Sequence, residues 1–390
     1  MKGWSIHGQR AREYREDNFM PCLTPTITPA LRTIPIALGA LLCVALLYAS
    51  ASAQVLDRPT YLSAAVPTSE ELDEQRRNNS LALHAQLLCS GVFVSGRRAE
   101  DVIEKDLHWQ AYYFHDWATT KWDIDYERSQ VSVWSPATDR FRPSPRHVAV
   151  HTPTLGCALL PAGAERTAFQ PVDAGTRLAP AAEMDWPLGD RNDRGRTAND
   201  TALSAALEFA FDDGALGVPQ DTRALLIVHR GRIVAERYAP NYGPNMPLIG
   251  WSMGKSVAAI LFGIFVGESG LDIDQPAPIV EWSAHADPRR HITPRHLLNM
   301  GAGLKFHNPN DDDTLYYTEM HDHETVYFRG QNTESLVLNQ PLLYVPGEKF
   351  QYRNTNTLTL MSMIKRGNRE AGRSHLSWPR EVLFDRIGAR

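Results

Sequence analysis

Residues 248–267 read LIGWSMGKSVAAILFGIFVG. This stretch is apolar around most of its circumference, which predicts a helix buried at the centre of a domain. Lys255 would lie in the first helical turn, where the helix dipole disfavours a cation by about 0.3–1 kcal/mol. Gly254, in the same turn, costs about 1 kcal/mol relative to alanine. Two unfavourable choices side by side indicate a functional site.

Ser252 and Lys255 are three residues apart, so their side chains share one face of a helix. Ser252 would lie beside free backbone N–H groups at the positive helix end, which suits a nucleophile. Apolar surroundings and that positive end both favour an uncharged lysine, so Lys255 is a candidate base near neutral pH. The alternative is that Ser252 only caps the helix and Lys255 extends to solvent.

The same S-x-x-K pattern recurs at Ser362 and Lys365, within SMIK. This second copy lies inside a predicted helix and has no glycine-rich loop before it. We therefore interpret it as a surface or packing feature.

The composition is that of an ordinary globular protein. The chain has 390 residues, of which 43% are hydrophobic and 22% are charged, enough for a sizeable core. Its net charge is −5 and it has no block of five or more basic residues. Because phosphate binding requires clustered lysine and arginine, we expect no nucleic-acid partner.

The N-terminal residues 1–53 have the pattern of a secretory signal. Residues 34–49 form an apolar run shorter than the roughly 20 residues of a membrane span, and small residues at Ala51 and Ala53 follow it. We expect cleavage before Gln54 and a periplasmic or secreted protein. The alternative is an uncleaved segment, which would be the chain's one contact with a membrane.

Cleavage would remove Cys22 and Cys43 and leave Cys89 and Cys157. Two cysteines in an exported chain favour a single disulfide between them, because oxidising compartments preserve such bonds. Two separately buried thiols are the alternative.

The mature chain divides into three parts by pattern. Residues 54–162 predict a small α+β region with a helix at 69–88, which opens on Ser69 followed by acids. Residues 163–200 are rich in Pro, Gly, Asp and Arg without periodicity, which is typical of a linker. Three runs of β-forming residues predict strands in the first part: GVFVSG (91–96), QVSVWSP (130–136) and RHVAVHTP (146–153).

Residues 201–390 predict a second domain. It begins with a helix at 201–213 and a hairpin at 223–238 that turns at HRGR. After the central helix, Thr293 and Pro294 mark the start of a short helix. Two further helices are predicted near the end, at 354–372 and 377–388.

Four segments carry a family resemblance. In order, HRGRIVAERY, WSMGKSV, RHLLNMGAGL and PGEKFQYRN resemble the serine β-lactamase and penicillin-binding superfamily, in particular class C-like esterases and 6-aminohexanoate-dimer hydrolases. The resemblance covers about 201–390, and LLCSGVFVSGR and LGC in the first part are also similar to the hydrolase subgroup. It implies an α/β (α+β) fold of the β-lactamase type, in which helices flank an antiparallel sheet.

The resemblance also implies roles for individual residues. It implies that Ser252 is acylated, that Lys255 and Tyr352 share proton transfer, and that Asn354 helps to hold this pair and the substrate. Arg353 stands where the family usually has a small residue. No metal or organic cofactor is implied.

The family's third element, a Lys-Thr-Gly or His-x-Gly triplet on a strand, has no match after Tyr352. Lys365-Arg366-Gly367 lies in a helical context and is no substitute. We therefore expect a hydrolase domain whose C-terminal strands are missing. Two hypotheses follow: an exported serine hydrolase that cleaves a small-molecule amide or ester, and an inactive truncated remnant or binding module of the same fold.

Two further clusters do not predict a metal site. His321 and His323 form an H-x-H pair, but the further Asp-His of the metallo-β-lactamase pattern does not accompany it, so we place them on an exposed loop. Residues 308–319 alternate oxygen-bearing side chains as a calcium loop does. However, Asp313 replaces the required glycine and Pro309 interrupts the loop.

Overall fold

The structure is a computed structural model that describes residues 68–107, 119–139, 141–161, 178, 183–189, 191, 201–212, 214–217, 220–307, 322–329 and 332–389. The predicted signal segment, most of the linker at 163–200, His321 and residues 308–319 lie outside these ranges. Within them, no helix combines the length and apolarity needed to cross a membrane.

The first part of the chain is built on one long helix, α1 (Ser69–Cys89). The Thr68 side chain accepts a hydrogen bond from the Glu71 N–H, and the Glu71 carboxylate accepts one from the Thr68 N–H. This reciprocal cap satisfies two backbone donors that the helix leaves free. The helix predicted at 69–88 is confirmed, although Thr68 caps it and Ser69 is its first helical residue.

The strand predicted at 91–96 is wrong, because α1 continues into a π-helical turn at Ser90–Val94. The Ser95 N–H donates to the Ser90 carbonyl at 2.9 Å, so the backbone is satisfied within the turn. A Cβ at Gly91 would lie 2.5 Å from a methyl group of Val102, so the two segments pack closely here. Tertiary packing thus overrides the β-propensity of the local sequence.

Beyond this turn, the first part contains a short helix and a four-stranded antiparallel sheet whose spatial order is its chain order. The predicted strands at 130–136 and 146–153 are confirmed as β2 and β3. Apolar residues of the sheet, among them Val131 and Ala149, share one buried core with α1. The elements are α2 (Ala99–Val102), β1 (Lys121–Asp125), β2 (Gln130–Trp134), β3 (His147–Thr152) and β4 (Gly156–Leu159).

A disulfide joins Cys89, the last residue of α1, to Cys157 on β4. The two cysteines are 68 positions apart in sequence. The pairing expected from the sequence is therefore present, and it ties the long helix to the edge of the sheet.

The second part opens with α3 (Thr201–Ala210) and a hairpin of β5 (Ala224–His229) and β6 (Arg232–Tyr238). Arg230 and Gly231, at the turn, both have positive φ, 51° and 74°. This is the geometry of a two-residue turn that matches the twist of the flanking strands. The predicted hairpin is confirmed, and it forms a two-stranded sheet.

The remaining described elements are helical: α4 (Gly254–Ser269), α5 (Pro294–Leu298), α6 (Asp322–Phe328), α7 (Thr333–Leu338) and α8 (Asn354–Glu370). Thr293 caps α5, as predicted. The helix predicted at 377–388 is only a π-helical turn at Arg380–Phe384.

The helix α4, predicted to be buried at the centre of a domain, is buried on one side only. One side, which includes Leu261 and Phe262, belongs to a core shared with α8 and Trp378. The other side is exposed, and Ile260 keeps 52% of its surface accessible. The sequence is apolar on both sides, but α8 and the core pack against only one of them.

The second S-x-x-K copy has a structural role in α8. Glu334 on α7 accepts hydrogen bonds from Ser362 at 2.8 Å, Lys365 at 2.7 Å and Arg366 at 2.7 Å. Arg366 also contacts Glu281. Burial raises the pKa of Glu334, but the bonds from Lys365, Arg366 and Ser362 outweigh it and bring the pKa to about 2.

Replacing Glu334 tests this network. The folded pKa of Glu334 lies below the unfolded value of about 4.3, so its stabilisation is present above that pH and is lost as the pH falls towards 2. We expect Glu334→Gln to lower the free energy of unfolding near neutral pH by about 1 kcal/mol, since solvent screens part of the network. Urea unfolding should show the gap to the wild type narrowing in acid. Glu348→Gln, at an exposed site, is the control, and an equal loss there would contradict the assignment.

Candidate active site

Ser252 lies in a 3₁₀ turn, Trp251–Met253, directly before α4. Trp251 has φ of 43°, a left-handed conformation that is strained for a residue with a bulky side chain. The residues that cap this turn and α4, Gly250 and Met253, make no side-chain cap hydrogen bond. The exposed Ser252 is therefore held at the positive end of α4, and the alternative in which it serves as the helix cap has no support.

Lys255 extends from the first turn of α4 back towards Ser252. Its Nζ donates a hydrogen bond to Ser252 Oγ at 3.0 Å. The two side chains therefore lie on the same side, as their spacing in sequence predicts. The same ammonium lies 4.7 Å from the centroid of the Tyr352 ring, a cation–π distance. The side chain is half-buried between these two partners, so it does not simply extend to solvent.

Tyr352 reaches the same point from the loop that precedes α8. Its hydroxyl hydrogen-bonds with Ser252 and Lys255. Burial raises the pKa of Tyr352, but those two hydrogen bonds and the charge of Lys255 outweigh it and lower the pKa below its usual value. The structure thus brings together the three side chains that the sequence singled out.

Asn354, the first residue of α8, is buried beside this group. Its Nδ2 lies 2.7 Å from Nδ1 of His323, which comes from α6. The assignment of His323 to an exposed loop is therefore wrong, because it is half-buried on a helix. The sequence gives no local signal for this contact, since 31 residues separate the two partners.

Four of these groups border a cavity of about 740 Å³. Ser252, Lys255, His323 and Asn354 line it together with residues of the first part of the chain. Tyr327 also lines it and keeps 43% of its surface exposed. Within the ranges that the structure describes, no group of three or more His, Cys, Asp or Glu side chains is placed to hold a metal ion.

Comparison with known protein families finds one match in the second part of the chain. Residues 220–388 match the family model described as Beta-lactamase. This segment is therefore a β-lactamase-like domain of helices and antiparallel strands, and the proteins of that superfamily are serine hydrolases. It contains Ser252, Lys255, Tyr352 and Asn354.

Among solved structures, the chain is similar to one named "Putative 6-aminohexanoate-dimer hydrolase from Bacillus anthracis". The two are 22% identical, with a TM-score of 0.35, and the match covers 55% of this chain and 54% of that one. No curated protein matches the chain.

The contact between Lys255 and Tyr352 predicts a measurable titration. We expect Lys255→Met to raise the pKa of Tyr352, because it removes a hydrogen bond and a positive charge that lower it. The measurement is the tyrosinate absorbance as a function of pH. Subtracting the curve of the same protein with Tyr352→Phe added leaves the titration of Tyr352 alone. Lys349 lies 4.4 Å from the Tyr344 ring, so Lys349→Met is a matched control that should leave Tyr352 unchanged. An unshifted Tyr352 titration in Lys255→Met would refute the coupling.

Proposed function

We propose that this chain is a serine hydrolase that cleaves a small-molecule amide or ester through an acyl-enzyme on Ser252. The observation that carries the proposal is the meeting of Ser252 Oγ with both Lys255 and Tyr352 at the edge of a cavity. Two flanking proton carriers are what an unreactive hydroxyl needs in order to attack a carbonyl carbon.

The first half of the reaction forms the acyl-enzyme. Ser252 Oγ bonds to the carbonyl carbon and its proton passes to Tyr352, whose lowered pKa and neighbouring Lys255 favour the phenolate. The carbon–heteroatom bond of the substrate then breaks, and the leaving amine or alcohol takes that proton. The positive end of α4 favours the negative charge that develops on the carbonyl oxygen.

The second half returns the free enzyme. A water molecule attacks the acyl carbon and gives a proton to Tyr352, the bond to Ser252 Oγ breaks, and that oxygen regains a proton. The sum is substrate plus water to acid plus amine or alcohol. Asn354 contacts His323 and lines the same cavity, and we assign it to orient the substrate amide or ester.

We also propose that the protein is exported to the periplasm or secreted. The signal-like pattern of residues 34–49 supports this, and so does the disulfide between Cys89 and Cys157, because such bonds persist in oxidising compartments.

A covalent probe tests the nucleophile. A fluorophosphonate should label the wild type at Ser252, and Ser252→Ala should abolish labelling. Ser362→Ala removes the serine of the other S-x-x-K copy and should label as the wild type does. We expect Tyr352→Phe to slow labelling and 4-nitrophenyl ester hydrolysis by about 10²–10⁴-fold, the usual contribution of a proton carrier.

Two outcomes would overturn the proposal. Labelling that persists in Ser252→Ala would show that another residue reacts with the probe. A folded wild type that neither labels nor hydrolyses any ester or amide would favour the alternative, a binding module that keeps the fold.

A further inference from the structure

The first part of the chain supplies much of the wall of the cavity that contains Ser252. Leu83 and Leu87 are four residues apart, so they share one face of α1, and both line the cavity. Leu159, the last residue of β4, lines it too. A segment outside the β-lactamase-like domain thus provides aliphatic surface to that domain's site.

The β-lactamase-like domain adds apolar surface of its own. Ile249 and Trp251, next to the nucleophile, remain 42% and 53% exposed although both are large and apolar. Val326 and Phe328 of α6 also line the cavity. Large apolar side chains left open beside a group of polar ones are typical of a ligand-binding pocket.

The polar groups around the cavity are mostly neutral. Besides the groups of the candidate active site, the described lining includes the amides and hydroxyls of Gln86, Ser90, Asn332 and Thr333. Lys255 is the one lysine or arginine in that lining, and it contains no aspartate or glutamate. Since the proposed reaction uses Lys255, the described lining offers no second charge to pair with an ionised substrate group.

We infer that this cavity is a binding subsite for an uncharged aliphatic acyl chain, so that the preferred substrates are esters or amides of medium-chain fatty acids. The inference rests on the proposed function and specifies its substrate class. Leu83, Leu87 and Leu159 from one part of the chain and Ile249 and Trp251 from the other enclose the chain while its carbonyl carbon lies at Ser252.

Substrate chain length tests the subsite. Burial of one methylene is worth about fourfold in an equilibrium constant. The octanoyl group of 4-nitrophenyl octanoate has six more methylenes than the acetyl group, and burial of about three of them should raise kcat/KM by roughly 10²-fold. Leu87→Ala should reduce the octanoate-to-acetate ratio of kcat/KM by about 5- to 10-fold, because it removes aliphatic surface from the wall.

The chain offers a matched control on the same helix. Leu81 belongs to the same core as Leu87, at 4% against 6% exposure, but does not line the cavity. Leu81→Ala should lower the melting temperature about as much as Leu87→Ala does. It should keep the wild-type ratio of kcat/KM for octanoate over acetate. Ile249→Ala, at an exposed position, tests the subsite without disturbing the core and should lower the ratio as Leu87→Ala does.

The outcomes separate the two proposals. Ser252-dependent hydrolysis with no preference for octanoate, or with a ratio that Leu87→Ala and Ile249→Ala leave unchanged, would overturn the subsite alone. If neither ester is hydrolysed in a Ser252-dependent way, the proposed function fails and the acyl subsite fails with it.

Discussion

The hydrogen bond from Lys255 to Ser252 is the interaction on which the site depends. A lysine at the positive end of a helix is electrostatically unfavourable, and it is retained here between a serine hydroxyl and the face of a tyrosine ring. The strained backbone at Trp251 precedes the serine, and α4 fixes the spacing of the serine and the lysine. One helix terminus therefore sets both the position of Ser252 and the charge beside it.

The other members of the site come from separate elements and meet at that terminus. α8 brings Asn354 and, just before its start, Tyr352, while α6 brings His323. Packing of α8 against the inner side of α4 determines how close these groups come. The core of the second part therefore fixes the geometry of the candidate active site as well as the fold.

Local chemistry explains which features could be predicted from the sequence. The hairpin follows from the turn at Gly231, and the lysine–serine contact follows from helical spacing. The turn around Gly91 could not be read from β-propensity, since its close packing against another segment is a tertiary effect. The exposure of Ile260 and the contact of His323 with Asn354 also depend on which elements pack together. The periodicity of the local sequence carries no information about that packing.

The disulfide has a consequence beyond joining two elements. Cys89 lies two residues after Leu87, and Cys157 lies two residues before Leu159, so one covalent bond fixes the separation of two residues of the cavity wall. By the loop-entropy relation, closing a separation of 68 residues disfavours the unfolded chain by about 4 kcal/mol. The width of the cavity is thereby linked to the thiol–disulfide balance of the compartment in which the chain folds.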